Sequence, residues 1–265
     1  MTEIAHGTVI VQSGEAVLPR WWRTVDRVTI FCIFSLFAIG ILLGFAASTP
    51  LAERNGLDPF HYVTRQAAFG GLALVVMLVV SMLNPLMIRR LGVIGFFGAV
   101  FALAMLPAFG TDFGQGAVRW FSLGFASVQP AEFLKPVFVI FTAWMIAASQ
   151  EIGGPPGKTV SLFSMVVIVG FLVMQPDFGQ GALVVFAWSV IYFVSGAPMV
   201  ILFSVMAMVA AGGVFAYANS GHVARRIDGF LSTEIDPTTQ IGYATDAIRN
   251  GGLFGAGLGE GTVRW

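Results

Sequence analysis

Long apolar runs separated by short polar breaks make up most of this chain. The first runs from Val28 to Ala47, about 20 residues, the length a helix needs to cross the hydrocarbon core of a bilayer. Further runs cover about 66–86, 92–109, 130–149, 160–174, 181–195 and 199–218. The pattern therefore predicts an all-α, polytopic transmembrane bundle of seven helices within residues 28–218. Short alternating segments, the mark of a β-barrel, are not seen. Residues 1–27 read as a cytoplasmic tail that ends in Arg20, Trp21, Trp22, Arg23 and Arg27, which suits an anchor at the membrane interface. A cleaved signal peptide is the rival reading, but the run that follows is too long and starts too late. Ser48–Thr64, with Glu53, Arg54, Asp58 and Pro59, predicts a polar loop. Asn84-Pro85 ends or kinks the second helix, because proline has no N–H to donate, and Arg89 and Arg90 then fall in a very short loop. Glu151–Lys158 is a turn-rich connector and Gly196-Ala-Pro198 a tight turn. Residues 219–265 are polar and glycine-rich and predict the start of a large extracytoplasmic loop with short interfacial helices.

Composition sharpens this picture. The chain is 57% hydrophobic and 11% charged, with mean hydropathy +0.84, whereas a soluble domain carries about 25% charged residues. The net charge is zero, so nucleic-acid binding has no electrostatic support. Cys32 stands alone inside the first run and cannot form an intrachain disulfide. His6, His61 and His222 are scattered, and no metal-ligand pattern is visible. Arg20, Arg23, Arg27, Arg89, Arg90 and Lys158 fall on one side of the predicted bundle, against Arg54, Arg65 and Arg119 on the other, which places the N-terminus in the cytoplasm.

The densest polar stretch between apolar runs is Asp112–Lys135. Its opening, Asp112-Phe-Gly-Gln-Gly-Ala117, recurs residue for residue at Asp177–Ala182, and Gln129-Pro130 recurs at Gln175-Pro176. The topology puts both copies on the outer side, where they can line one site. Glu132 and Lys135 are three apart at the mouth of the fourth helix, whose first position suits Pro130. Charges there are costly unless paired or wetted, so they mark either a function or a structural ion pair. Pro136 frees a backbone carbonyl near the same end. Asp112 and Asp177 could hold a divalent cation, accept hydrogen bonds from sugar hydroxyls, or merely cap turns. Arg119 offers a two-pronged fork to phosphate, and Trp120 offers either a flat face to a sugar or an interfacial anchor. Gly251–Gly261 invites a nucleotide-loop reading, which fails because no strand precedes it and no βαβ unit surrounds it.

These residues resemble a known family. Gly116-Ala-Val-Arg119-Trp120 with Leu123-Gly124, then Gln129-Pro-Ala-Glu132 and Lys135, is similar to the signature loop of the SEDS proteins, named for shape, elongation, division and sporulation. Gln175-Pro-Asp-Phe-Gly179 is similar to a second family signature. Ile227–Leu231, Asp236-Pro237 and Asn250–Gly255 with Gly257–Gly261 are similar to a third. The Gly-Glu-Gly-Thr-Val form resembles the division branch in alphaproteobacteria. The resemblance implies about ten transmembrane helices in the bacterial inner membrane, located at the division septum. It also implies a peptidoglycan glycosyltransferase that polymerises lipid II into glycan strands in cell-wall synthesis. Implied partners are lipid II, a class B penicillin-binding protein transpeptidase, other divisome proteins and membrane lipid. No cofactor is called for, with a divalent cation left open.

In that family a His-Thr-Asp-Phe segment follows the glycine-rich stretch and carries the aspartate implied to be catalytic. It would lie beyond Trp265, so the chain reads as an N-terminal portion whose catalytic residue is not assigned. The expected substrate-binding residues are Arg119, Trp120, Gln129, Glu132, Lys135 and Asp177. Two other readings compete: a lipid II flippase, suggested by the internal repeat, and a non-catalytic division scaffold.

Overall fold

The computed structural model describes residues 17–112, 118–124, 126–219, 221–231, 239–252, 255 and 257. Its helices are α1 (Val17–Thr24), α2 (Arg27–Arg54), α3 (His61–Ser81), α4 (Pro85–Phe109), α5 (Pro130–Ala148), α6 (Gly157–Met174), α7 (Phe178–Val194), α8 (Met199–Asn219), α9 (Gly221–Leu231) and α10 (Gln240–Gly251). Two short strands, β1 (Phe121–Ser122) and β2 (Ser127–Val128), lie between α4 and α5. Among the described residues, six helices are long and apolar enough to cross a membrane: α2, α3, α4, α5, α6 and α8. The apolar α7 has 17 residues, about 26 Å at 1.5 Å per residue. The fold is the expected polytopic helical bundle.

The chain divides into two compact units, residues 1–83 with 229–265, and residues 84–228. In the first, α2 packs against α3. Gln66 of α3 donates to the Gly40 carbonyl at 3.3 Å, and a side chain at Gly44 would run into the Gln66 amide. Glycine thus makes room for a polar side chain between two apolar helices. The helix α2 outruns the expected Val28–Ala47 run, and the loop expected from Ser48 is helix as far as Arg54. Pro50 lies inside α2 and leaves the Ala46 carbonyl without its helical N–H donor. Ser48 Oγ donates to Gly44 O at 2.6 Å, and Thr49 Oγ1 donates to Phe45 O at 2.8 Å.

Asp26 caps α2, accepting from the Val28 N–H at 3.0 Å and the Thr29 hydroxyl at 2.6 Å. The Thr29 hydroxyl, then the Val28 N–H, hold this carboxyl below the usual carboxylate range. A depressed folded pKa gives stability that is present above the unfolded pKa, near 3.9, and lost as pH falls through the folded value. Asp26→Ala should therefore lower the melting temperature slightly at neutral pH. The difference from the parent should vanish in acid, as read by thermal melts across pH.

The second unit is built on α4 against α5, with α6 and α7 packed on α5 and on each other. Asn84 is the N-cap of α4, accepting from the Met87 N–H at 2.7 Å, with Pro85 in the first helical position. Asn84-Pro85 therefore opens a helix, and Arg89 and Arg90 lie within its early turns, not in a loop before Gly92. The Arg89 guanidinium sits 5.6 Å from the centre of the Trp144 ring. Gly92 and Gly95 face Ile140 and Val137 and let α4 approach α5 closely. The core is aromatic where these helices meet: Phe96 and Phe141 stack with centroids 4.0 Å apart. Leu103, Leu106, Leu134, Phe138, Ile168, Leu172 and Val184 complete it. Deeper along α7, Trp188 and Tyr192 stack at 4.6 Å, and the indole N–H of Trp188 donates to Ser161 Oγ at 3.2 Å.

Two elements are absent from the sequence reading. One is α1, inside the expected tail. The other is the β1–β2 hairpin inside the expected loop, pairing Phe121 with Val128 and Ser122 with Ser127. Gly124 at its tip has φ +82°, a left-handed conformation that glycine adopts without a Cβ penalty. The helices α9 and α10 match the short helices expected after α8. Residues 1–16, 113–117, 232–238 and 258–265, with parts of the repeat and of the third signature, lie outside the described residues.

Candidate functional site

The ends of α4, α6 and the hairpin meet the beginnings of α5 and α7 at one end of the second unit. Chain alternation brings them there. The helix α4 ends at Phe109, its continuation bridges back through Thr111 N–H to Trp120 O at 2.8 Å, and the hairpin leads directly into α5. The helix α6 ends at Met174 and α7 begins only four residues later. Five of the six residues expected to bind substrate contribute side-chain bonds here.

Arg119 reaches across to the α6–α7 break. Its Nε donates to the Gln175 carbonyl at 3.0 Å and an Nη donates to the Pro176 carbonyl at 2.7 Å. The guanidinium thus serves as a clamp on two backbone carbonyls, with further N–H donors beyond these two bonds. Gln129, the residue before α5, donates to Asp177 Oδ2 at 3.3 Å. Asp177 occupies the N-cap position of α7 but makes no side-chain cap bond, so its carboxylate is turned to Gln129 and not to the helix it precedes. The capping alternative therefore does not hold for Asp177. Glu132 and Lys135 form an ion pair, Oε2 to Nζ at 2.7 Å. The other oxygen of Glu132 accepts from Gln180 Nε2 at 2.7 Å. Both carboxylate oxygens are thus engaged, one by a charge on the same helix and one by an amide on α7. Pro136 stays within α5, so the Glu132 carbonyl lacks its helical donor.

Trp120 is placed by its backbone; its side chain is 37% exposed. Asp112 stands one residue past the Thr111 bridge. Of its repeat, residues 113–117 lie outside the described residues, whereas the second copy forms the start of α7. Among the described residues, no three His, Cys, Asp or Glu side chains gather to hold a metal ion.

Two residues belong to this cluster that the expected set lacks. Gln175 is 7% exposed, and its side chain donates to the Leu103 carbonyl in α4 at 3.3 Å. Gln180 bonds Glu132. The signal for both was in the sequence, since Gln175 belongs to the repeated Gln-Pro and Gln180 to the repeated Asp-Phe-Gly-Gln. From Lys135 an apolar groove of about 220 Å³ runs along α5 and α7 between Phe138, Val139, Leu183, Val184, Phe186 and Ala187. The site therefore joins a hydrogen-bonded polar head to an open apolar groove lined in part by the exposed Val139, Leu183 and Phe186, with a lysine at the junction.

Comparison with known proteins gives this arrangement a family. The model of the FtsW, RodA and SpoVE cell cycle proteins matches residues 26–265. The chain belongs to this family. It is 35% identical over 254 residues to the probable peptidoglycan glycosyltransferase FtsW of Caulobacter vibrioides, an alignment covering 96% of this chain and 65% of that protein. It is 31% identical over 256 residues to the protein of the same name from Allochromatium vinosum, covering 92% of this chain and 64% of the relative. The chain thus spans just under two thirds of the length of these curated relatives. Among solved structures it is similar to the rod shape determining protein RodA of Thermus thermophilus. That likeness has 26% identity and a TM-score of 0.57, over 71% of this chain and 60% of that one. A peptidoglycan synthase complex has the same fold, with 23% identity and a TM-score of 0.65 over 88% of this chain and 67% of that one.

Proposed function

We propose that this chain forms the lipid-handling part of a peptidoglycan glycosyltransferase, which polymerises lipid II during septal wall synthesis with a class B penicillin-binding protein transpeptidase as partner. The observation that carries the proposal is the position of Lys135, at the meeting point of a polar cluster and an apolar groove. A polyprenyl-pyrophosphate sugar has the same division of character. Its tail needs an apolar channel, its pyrophosphate a cation, and its sugars hydrogen-bonding groups. The names of the FtsW relatives support this reading.

In glycosyl transfer, the bond from the sugar to pyrophosphate breaks as an acceptor hydroxyl attacks and loses its proton. Negative charge then grows on the departing pyrophosphate, and a fixed cation beside it lowers the barrier. Lys135 is placed for that work if the tail lies in the groove, and Glu132 holds its ammonium in position between turnovers. Asp177 and Gln129 offer acceptor and donor groups to sugar hydroxyls. These residues bind and position, and the base is not assigned among them.

The proposed orientation puts the cluster at the periplasmic face of the inner membrane, with the N-terminus in the cytoplasm. Arg89, Arg90 and Lys158 support it, because they lie at the starts of α4 and α6, at the other end of the unit from the cluster. The charges of this unit collect at its two ends, which favours a surface site over a mid-membrane transport path.

Lipid II binding to the full chain in detergent tests the proposal. Lys135→Ala should weaken binding by about tenfold or more, the worth of one charge-assisted hydrogen bond. Glu132→Ala should weaken it less, since it removes the positioning partner and not the cation. Affinity unchanged in both variants would overturn the assignment and favour a scaffold.

A further inference from the structure

The helix α1 is not part of the polar cluster, and its composition calls for a different partner. On a helical projection Leu18, Trp21 and Trp22 fall within an arc of about 100°, while Arg20 and Arg23 fall on the opposite side. Leu18 is 63% exposed and Trp22 51% exposed, so much of the apolar face is uncovered within the described chain, whereas Trp21 is half-buried. Two residues separate the helix from α2, whose first residue is Arg27 and which is a candidate membrane span. That spacing places α1 at the boundary between membrane and water. It is also tethered there. The Trp21 indole N–H donates to Ser81 Oγ at the end of α3 at 2.9 Å. The Arg27 guanidinium lies 5.2 Å from the centre of the Trp22 ring, joining α1 to the first turn of α2.

We infer that α1 is a docking surface for anionic phospholipid headgroups, lying in the plane of the leaflet with Leu18 and Trp22 inserted and Arg20 and Arg27 on the phosphates. Charge decides between this occupant and a neutral one. Arg20 lies on the polar face of α1 and Arg27 at the start of α2, and the acidic side chain between them, Asp26, is committed to Val28 N–H and Thr29 Oγ1 at the cap of α2. A strongly amphipathic, cationic helix with tryptophan on its apolar face, at the foot of a membrane span, has the composition of an interfacial anchor. The Trp21–Ser81 bond gives the anchor a structural consequence, since lipid held by α1 also restrains the α2–α3 pair. The inference rests on α1 and its neighbours alone, and is independent of what the polar cluster binds.

The test is native mass spectrometry of the full chain in micelles containing equal phosphatidylglycerol and phosphatidylcholine. The parent should retain phosphatidylglycerol preferentially, and the preference should fall as ionic strength rises. Arg20→Gln with Arg27→Gln should reduce it by roughly 30-fold, at about fivefold per arginine. Trp22→Ala should weaken retention of both lipids while leaving the preference in place. Arg89→Gln with Arg90→Gln, a basic pair at the start of α4, should reduce the preference much less than the Arg20 and Arg27 pair does. Equal retention of the two lipids by the parent, as expected if α1 docks a protein, would overturn the inference. So would a preference indifferent to salt, or one that the Arg89 and Arg90 variant abolishes. Because the salt titration uses the parent chain, the inference stays testable even where a variant fails to fold.

Discussion

Arg119→Ala should cost about 2–3 kcal/mol of stability and most of the affinity for lipid II, and Arg119→Lys should recover less than half of either. Two backbone carbonyls, of Gln175 and Pro176, lose charged donors in the alanine variant. Hydrogen bonds to charged groups contribute about 1.5–3 kcal/mol each, and part of that is discounted because the Pro176 bond faces solvent. Lysine keeps the charge but offers a point donor in place of a planar fork, so it cannot span two successive carbonyls. The functional loss follows from position. The clamp ties the segment that leads through the hairpin to Gln129 and Glu132 onto the turn that carries Asp177 and Gln180. Without it, the bonds between Gln129 and Asp177 and between Gln180 and Glu132 lose their common frame. The salt dependence of lipid II binding separates this role from direct phosphate contact. A lost phosphate contact would flatten the dependence, whereas a lost clamp lowers affinity at every salt concentration and leaves the slope in place.

The sequence made the membrane helices legible because hydrocarbon imposes one rule on every span, a run of about 20 apolar residues. The helix α5 is found almost to the residue, since Pro130 and the charges of its first turn mark its start. Boundaries failed where a residue that breaks helices in water is used differently in lipid. Pro50 lies inside α2, and Pro85 starts α4 because Asn84 caps it. Neither outcome can be read from proline alone. The helix α1 was hidden for the opposite reason. Eight residues are too few for periodicity to stand out, and its tryptophans were already explained as an anchor.

Much of the candidate site was visible too. Repetition of Asp-Phe-Gly-Gln-Gly-Ala and of Gln-Pro pointed to two segments that could meet, and the second copy does meet the start of α5. What sequence could not supply was the partner of each group. Arg119 reads equally well as a phosphate fork and as a carbonyl clamp, because both use the same planar donors. Asp177 reads as a helix cap from its position, and only the approach of Gln129 turns its carboxylate away. Pairing between segments about 50 residues apart is a property of packing, and local patterns do not encode it.

Gly157→Ala should destabilise the chain by about 3 kcal/mol or more, whereas Gly170→Ala in the same helix should change stability by less than about 1 kcal/mol. Gly157 is the buried first residue of α6, and a Cβ built there overlaps the backbone carbonyl of Met145 in α5. Backbone cannot rotate out of the way as a side chain can, so α6 must move off α5 along the contact that buries Met145, Met165 and Ser161. A Cβ on Gly170 meets no atom within 4 Å, so that variant carries the same chemical change without the overlap. Thermal melts of both variants in one detergent compare them directly. A loss confined to Gly157 assigns the effect to the α5–α6 contact, and equal losses would assign it to helix composition instead. The contact also reaches the polar cluster mechanically. Both helices run from it to the far end of the unit, where α5 carries Glu132 and Lys135 and α6 leads into Gln175. Displacing α6 at its first turn therefore shifts Gln175 against Gln129, and lipid II affinity should fall with the melting temperature. Gly170→Ala, which leaves the contact closed, should keep both.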